Sequence, residues 1–148
     1  MSIETKVQIE AIKTKSYMAG KADGTVMFAE GHYIVYVQEK DCLIDVSKIN
    51  KLSKNCMEEY RSEKVEKLLK PIGQTRKMLL HAGRTVRLFE NRETGDRIWL
   101  DQKYVKEFKD CRPYLADMGE GYKAIVFKAG GKIIGLVLPV MVSEDTEE

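Results

Sequence analysis

The chain has 148 residues, of which 43% are hydrophobic and 32% charged, and its formal net charge is +2. This length fits one domain, or two closely packed halves, and buries a core large enough to need no metal or disulfide staple. The composition excludes global disorder, and the small net charge does not by itself announce nucleic acid.

Three cysteines, Cys42, Cys56 and Cys111, stand far apart with no CxxC pair. The spacing suggests neither a zinc ribbon nor a thioredoxin-type site and predicts three reduced thiols without metal. The first residues, Met1-Ser2-Ile3-Glu4-Thr5-Lys6, lack an apolar signal core. The longest apolar run, residues 133–142, is interrupted by Gly135 and Pro139 and is too short to span a bilayer. A cytoplasmic protein without membrane contact is expected.

In chain order, residues 3–12 alternate (Ile3, Val7, Ile9) and read as a strand, and Gly20 to Gly24 reads as a loop. Residues 25–29 and 33–38 are β-rich runs joined at Glu30-Gly31, where glycine supplies the positive φ of a tight hairpin. Residues 42–44 read as a third short strand, after which Asp45 caps a short helix with Val46, Ile49 and Leu52 on one face. A longer helix is predicted over 57–70, stopped by Pro71 and Gly73. Its apolar face is Met57, Tyr60, Val65, Leu68 and Leu69, with Glu63–Lys67 and Glu66–Lys70 as i,i+4 pairs opposite.

The second half opens with β-like runs at 77–81 and 85–91, then turns through Glu93-Thr94-Gly95-Asp96 into a strand at 97–100. Asp101 caps a second short helix that carries Tyr104, Val105 and Phe108 inward. Residues 122–128 and 132–138 form a hairpin across Ala129-Gly130-Gly131. The acidic residues 144–148 read as a frayed tail. The expected architecture is α+β, with antiparallel sheets and short helices packed on one face. One domain spans 1–142, in halves of about 1–73 and 74–142, with an acidic tail at 143–148.

An internal echo supports the two halves. Leu43-Ile44-Asp45-Val46-Ser47-Lys48-Ile49-Asn50-Lys51-Leu52 matches Trp99-Leu100-Asp101-Gln102-Lys103-Tyr104-Val105-Lys106-Glu107-Phe108 in pattern: two apolar residues, an aspartate, then apolar residues four and seven positions on. The outward positions carry Lys48, Lys51 and Lys54 in one segment and Lys103, Lys106 and Lys109 in the other. A spacing of three keeps each set on one slowly drifting stripe.

A repeated β–α half with basic outer helices resembles the DNA sliding clamp fold, and residues 97–142 carry most of the likeness. The segment from Trp99 to Phe108 looks like the strand-then-helix near the end of the bacterial β clamp. Residues 124–128 and 133–140, with Leu138-Pro139-Val140, look like its closing strand pair. The predicted 57–70 helix and the acidic tail have no counterpart there, and the bacterial clamp has three such domains where this chain has room for one. The resemblance implies a pseudo-two-fold domain whose paired helices face DNA phosphates. It points to duplex DNA and to replication or mobile-element proteins as partners, and leaves homo-oligomerisation open.

Catalytic signatures are missing. His32 and His81 sit at hairpin or strand positions without a flanking motif, and neither GxxxxGK[ST] nor GxGxxG occurs. Glu107-Phe108-Lys109 has the letters of a metal-nuclease motif, but it falls on a helix. No enzyme activity and no cofactor are expected. Between Lys48 and Arg87, eleven Lys/Arg face four Glu, so the basic charge is concentrated there. Arg61 and Lys64 fall near the apolar face of the predicted long helix, where they snorkel or meet a partner. Two function classes are compatible with this pattern: a DNA-associated module with sequence-independent phosphate contacts from Lys48, Lys51, Lys54, Lys103, Lys106 and Lys109, or a protein-interaction domain that does not bind DNA.

Overall fold

The computed structural model describes residues 1–142; the expected acidic tail at 143–148 lies outside the described residues. The chain begins with a helix, α1 (Ile3–Lys13), where a strand was expected. Ser2 caps it by accepting the Thr5 N–H at 3.2 Å, and Glu4 and Lys13 sit at the dipole-favoured ends. Ile3, Val7 and Ala11 recur every fourth residue and turn one stripe to the core, a helical period that the local alternation hides.

Strands β1 (Met18–Ala22), β2 (Thr25–Glu30) and β3 (Tyr33–Gln38) form an antiparallel meander, so the expected loop at Gly20 is largely strand. Gly31 has φ +56, and a Cβ there would lie 2.5 Å from the Tyr104 hydroxyl, so both conformation and space require glycine.

Residues 42–44 are not a strand. The buried Gln8 side chain takes the Leu43 N–H at 2.7 Å and donates to the Asp41 carbonyl, holding this stretch as a loop with Leu43 87% exposed. Asp45 does cap, accepting from the Ser47 N–H at 3.1 Å, but it starts only a single 3₁₀ turn, Val46–Lys48, in place of the expected helix. The chain then extends as β4 (Asn50–Lys51), parallel to β1. Leu52 donates its N–H to the Ala19 carbonyl and is buried.

The predicted helix over 57–70 is also interrupted. Ser53 caps α2 (Lys54–Glu59), the Tyr60 carbonyl accepts the Tyr36 hydroxyl, Arg61 is extended at ψ 134, and α3 (Ser62–Glu66) comes next. Residues 69–71 are then an edge strand, β5 (Leu69–Pro71), a position that tolerates proline. The expected i,i+4 partners separate accordingly: Glu66 pairs with Lys128 and Lys70 with Asp117.

Strands β6 (Gly73–His81), β7 (Arg84–Asn91) and β8 (Asp96–Asp101) form a three-stranded sheet. Asp101 caps α4 (Gln102–Val105), which continues as a 3₁₀ turn, Lys106–Phe108, burying Tyr104, Val105 and Phe108 as expected. A second meander completes the fold, β9 (Arg112–Gly119), β10 (Tyr122–Ala129) and β11 (Lys132–Val137), of which β9 had no expectation. The expected β10–β11 hairpin is present, turning at Gly130 and Gly131.

One eight-stranded sheet, in order β4-β1-β2-β3-β11-β10-β9-β5, joins both meanders at β3–β11. The class is α+β with mostly antiparallel strands. Val26, Phe28, Val35, Val37, Ile125 and Phe127 face α1, α4 and the inner face of the three-stranded sheet. Met27, Ile34, Tyr36, Val126 and Leu136 face the other way, toward α2 and α3. The helices therefore cover both faces, where one was expected. Each of α1 and α4 precedes a three-strand meander, and both lie on the same face.

Candidate functional site

The side chains with ligand-binding potential gather around α4. Asp101 closes β8 and is 4% exposed; its carboxylate accepts the Lys103 N–H at 3.0 Å, and Arg84 Nη1 lies 3.9 Å away. That cap starts the helix and orients its outer side. Phe108 stacks on Phe127 at 4.7 Å and 4°, and Tyr104 stacks on Tyr33 at 4.7 Å and 27°. Phe108 comes this close to the sheet because residue 135 is glycine: a Cβ there would lie 2.5 Å from Phe108 Cζ and 2.6 Å from the Ile34 carbonyl. With its apolar side locked, α4 presents Lys103 and Lys106 outward.

Between α4 and the overhanging inner face of β6–β7 lies an open cleft of about 560 Å³, lined by Met78, Thr85, Arg87, Asp101, Gln102, Lys103 and Lys106. Arg87 is fixed there, donating through Nε to Gln102 Oε1 and through Nη1 to the Thr75 carbonyl, both at 3.0 Å. The Lys103 ammonium sits 4.8 Å from the Tyr104 ring centroid. Lys106 is exposed. Three cations thus line the cleft against one carboxylate, itself held by the cap and Arg84. The cleft therefore carries an excess of positive charge.

The six lysines singled out from the sequence do not share a surface. Lys103 and Lys106 line the cleft, and Lys109, one turn on, borders a hollow beside Met1, Glu107 and Asp110. Lys48 borders a different hollow with Ala11, Lys15 and Tyr17. Lys51 lies on edge strand β4, and Lys54 opens α2 on the opposite face of the large sheet from α4. On the same face, Lys6 of α1 forms an ion pair with Glu107 in the turn that follows α4, and that hydrogen bond holds the Lys6 ammonium above its usual range. Ser2 followed by Ile3, Val7 and Ala11 was the signal that could have found α1. Arg87 was missed because a single arginine inside a β run carries no pattern. Arg61 is half-buried with Nη1 3.5 Å from Asp23, and Lys64 is exposed.

Under α1 and α4 lies a buried hydroxyl chain. Tyr17 donates to Glu10 at 2.7 Å, so the 2.5 Å contact between Tyr33 and Tyr17 must be donated by Tyr33. Burial raises both phenol pKa values, and that of Tyr36, far above the ordinary value of 10.0. The three thiols are unpaired, and burial raises those of Cys56 and Cys111. Among the described residues, neither His32 nor His81 has a hydrogen-bonded imidazole, no three His, Cys, Asp or Glu converge as metal ligands, and no helix is long and apolar enough to cross a membrane. Comparison of the chain with protein-family models, curated proteins and solved structures finds no match.

Proposed function

We propose that this chain is a non-enzymatic, cytoplasmic, DNA-associated module resembling one sliding-clamp domain. Its phosphate contacts come from Lys103, Lys106 and Arg87, with Lys109 and Arg84 flanking. The observation that carries this reading is the convergence of three cations on one open cleft whose single carboxylate is already engaged. The arrangement of α1 and α4 supports it, since each helix precedes a meander and both pack into the same core cluster. This is the relation that the clamp resemblance implies, although its second helix is α1 rather than a helix after Asp45. Lys48, Lys51 and Lys54 add only diffuse charge. Replication or mobile-element proteins are the partners this reading implies.

Contacts of this kind are sequence-independent and salt-sensitive, with roughly 0.9 counterions released per phosphate neutralised. Anisotropy on a linear duplex, alongside retention on nicked circles, should show binding at about 20 mM salt that fades as salt rises. Absence of binding to both substrates would remove the DNA role. A second reading, a protein-interaction domain that does not bind DNA, is favoured by the apolar Met78 and Leu80 exposed beside the cleft.

A further inference from the structure

We infer that the free edge of β6 is a docking strand for an extended acidic peptide, which adds to the three-stranded sheet beside the basic cleft. This inference does not depend on phosphate binding. Strand β6 ends the sheet order β6-β7-β8, so among the described residues no strand pairs with its outer edge. Its hairpin with β7 turns through Ala82 and Gly83 at φ 51 and 78, with His81 opposite Arg84. The pair flanking such a two-residue turn exchanges both backbone hydrogen bonds, and the pairs then alternate. Leu79 opposite Val86 is therefore bonded inward, while Met78 opposite Arg87 and Leu80 opposite Thr85 turn their N–H and C=O groups to the free edge.

The same two residues have exposed side chains, Met78 at 48% and Leu80 at 80%, on the face that overhangs the cleft. The opposite face of β6 is occupied, since Leu79 packs with Val86, Leu88, Trp99, Val140 and Val142. The edge is also bounded. A register shift between Gln74 and Met78, with Arg87 bonded to the Thr75 carbonyl and Thr75 Oγ1 to that of Leu88, leaves a short stretch ending at His81. Natural edge strands are usually blunted by charge or proline; the stretch from Met78 to Leu80, beyond Arg76 and Lys77, carries neither and is a template for another strand.

The surrounding charge selects the occupant. Arg76 is exposed on β6, Arg84 on β7, and Arg87, Lys103 and Lys106 line the adjoining cleft. A nucleic-acid backbone fits poorly at this edge. Phosphates only accept hydrogen bonds and cannot satisfy the carbonyls of Met78 and Leu80, and they gain nothing from an exposed leucine. A second copy pairing β6 with β6 would bring two identical basic clefts together, which like-charge repulsion disfavours. An extended peptide that carries both apolar and acidic residues on its cleft-side face, at every second position, meets each requirement. Its backbone pairs with the edge, its apolar side chains cover Met78 and Leu80, and its carboxylates reach Arg87 and Lys106.

The test uses the full chain and a fluorescein-labelled ten-residue peptide whose even positions carry valine and glutamate in turn, with threonine at the odd positions. Two controls accompany it: the same peptide N-methylated along one edge, and the same peptide with lysine in place of each glutamate. Saturable binding of the first alone is expected, with slowed amide exchange at Met78 and Leu80. Leu80→Pro removes the outward N–H without touching the cleft cations, and should weaken binding about tenfold or more. Because proline could disturb the hairpin, Leu80→Glu serves as a second variant: at an exposed site it keeps the fold and repels the peptide. Equal binding of the N-methylated peptide overturns the proposal in favour of charge alone. So do unchanged affinity in both Leu80 variants, no binding at all, or protection of these amides by dimerisation without peptide. Loss of DNA binding with peptide binding intact would count only against the phosphate reading.

Discussion

Two segments written in nearly the same pattern, Leu43 to Leu52 and Trp99 to Phe108, fold differently. In both, an aspartate accepts the N–H two residues on, at 3.1 Å for Asp45 and 3.0 Å for Asp101. Beyond the cap they diverge. After Asp101 the chain continues for two helical turns, because Tyr104 and Phe108 each find an aromatic ring to stack on and a glycine that makes room. After Asp45 it makes one turn and becomes an edge strand, because β1 offers a free edge and Ala19 a carbonyl for Leu52. A cap starts a helix; tertiary partners decide how far it runs.

The largest difference should appear when apolar residues at similar places are truncated. Phe108→Ala empties a fully packed site and should cost about 3–5 kcal/mol, whereas Leu43→Ala, at an exposed site, should stay within about 0.5 kcal/mol. Urea denaturation checks both. Equal costs would mean that the loop at 42–44 is packed like its counterpart.

Alkaline pH should also act unequally. Tyr33 and Tyr17, beneath α4 and α1, and Tyr36 on the opposite face of the sheet have pKa values raised by burial, so the folded state holds phenol protons that the unfolded state releases above about pH 10. Below that pH both states are protonated and nothing changes. Above it stability falls, by about 1.4 kcal/mol per tyrosine per pH unit. Amide exchange should accelerate in α4 while the turn at Val46–Lys48, which has no tyrosine, stays the same. A flat stability profile to pH 11 would contradict the buried hydroxyl chain.

The two caps differ in burial. Asp101→Ala removes a buried cap and the partner of Arg84, and should cost about 1–2 kcal/mol. Asp45 is exposed, its pKa lowered chiefly by the Ser47 hydroxyl, and Asp45→Ala should lower Tm by less than half as much. Comparable losses would restore equivalence between the two segments.

The smallest effect on stability should come from the lysines. Lys103→Glu with Lys106→Glu should leave Tm nearly unchanged and abolish duplex binding at about 100 mM salt. The same reversal at Lys48, Lys51 and Lys54 should weaken binding only modestly. If that trio mattered as much as the cleft pair, DNA contact would extend beyond the cleft.

These contrasts show which features were legible in the sequence. The hairpins at Gly31 and Gly130-Gly131 and the strands flanking Gly95 were readable because turn chemistry is local. So was the inward set Tyr104, Val105 and Phe108, because it sits at helical spacing after a cap. Residues 3–12 misled because Ile3, Val7 and Ile9 alternate over a short window, although Ile3, Val7 and Ala11 hold the helical period. The break at Tyr60–Arg61 was hidden because its cause, the Tyr36 hydroxyl on the Tyr60 carbonyl, comes from β3. The outward position of Lys103 and Lys106 was readable from their spacing. Arg87 and the edge of β6 became visible only once β6 and β7 were placed beside α4.

The β3–β11 seam has a kinetic consequence. Within each meander, successive strands lie close along the chain and pair across short turns. The seam joins Val35 to Gly135, Ile34 to Leu136 and Tyr33 to Val137, residues about a hundred positions apart. Closing so long a loop costs entropy before any contact repays it, so the seam should form late, after both meanders exist as local structure. Refolding should then proceed on the millisecond-to-second scale. Substitutions at the seam should slow it less than they speed unfolding, because such contacts are weakly formed in the transition state.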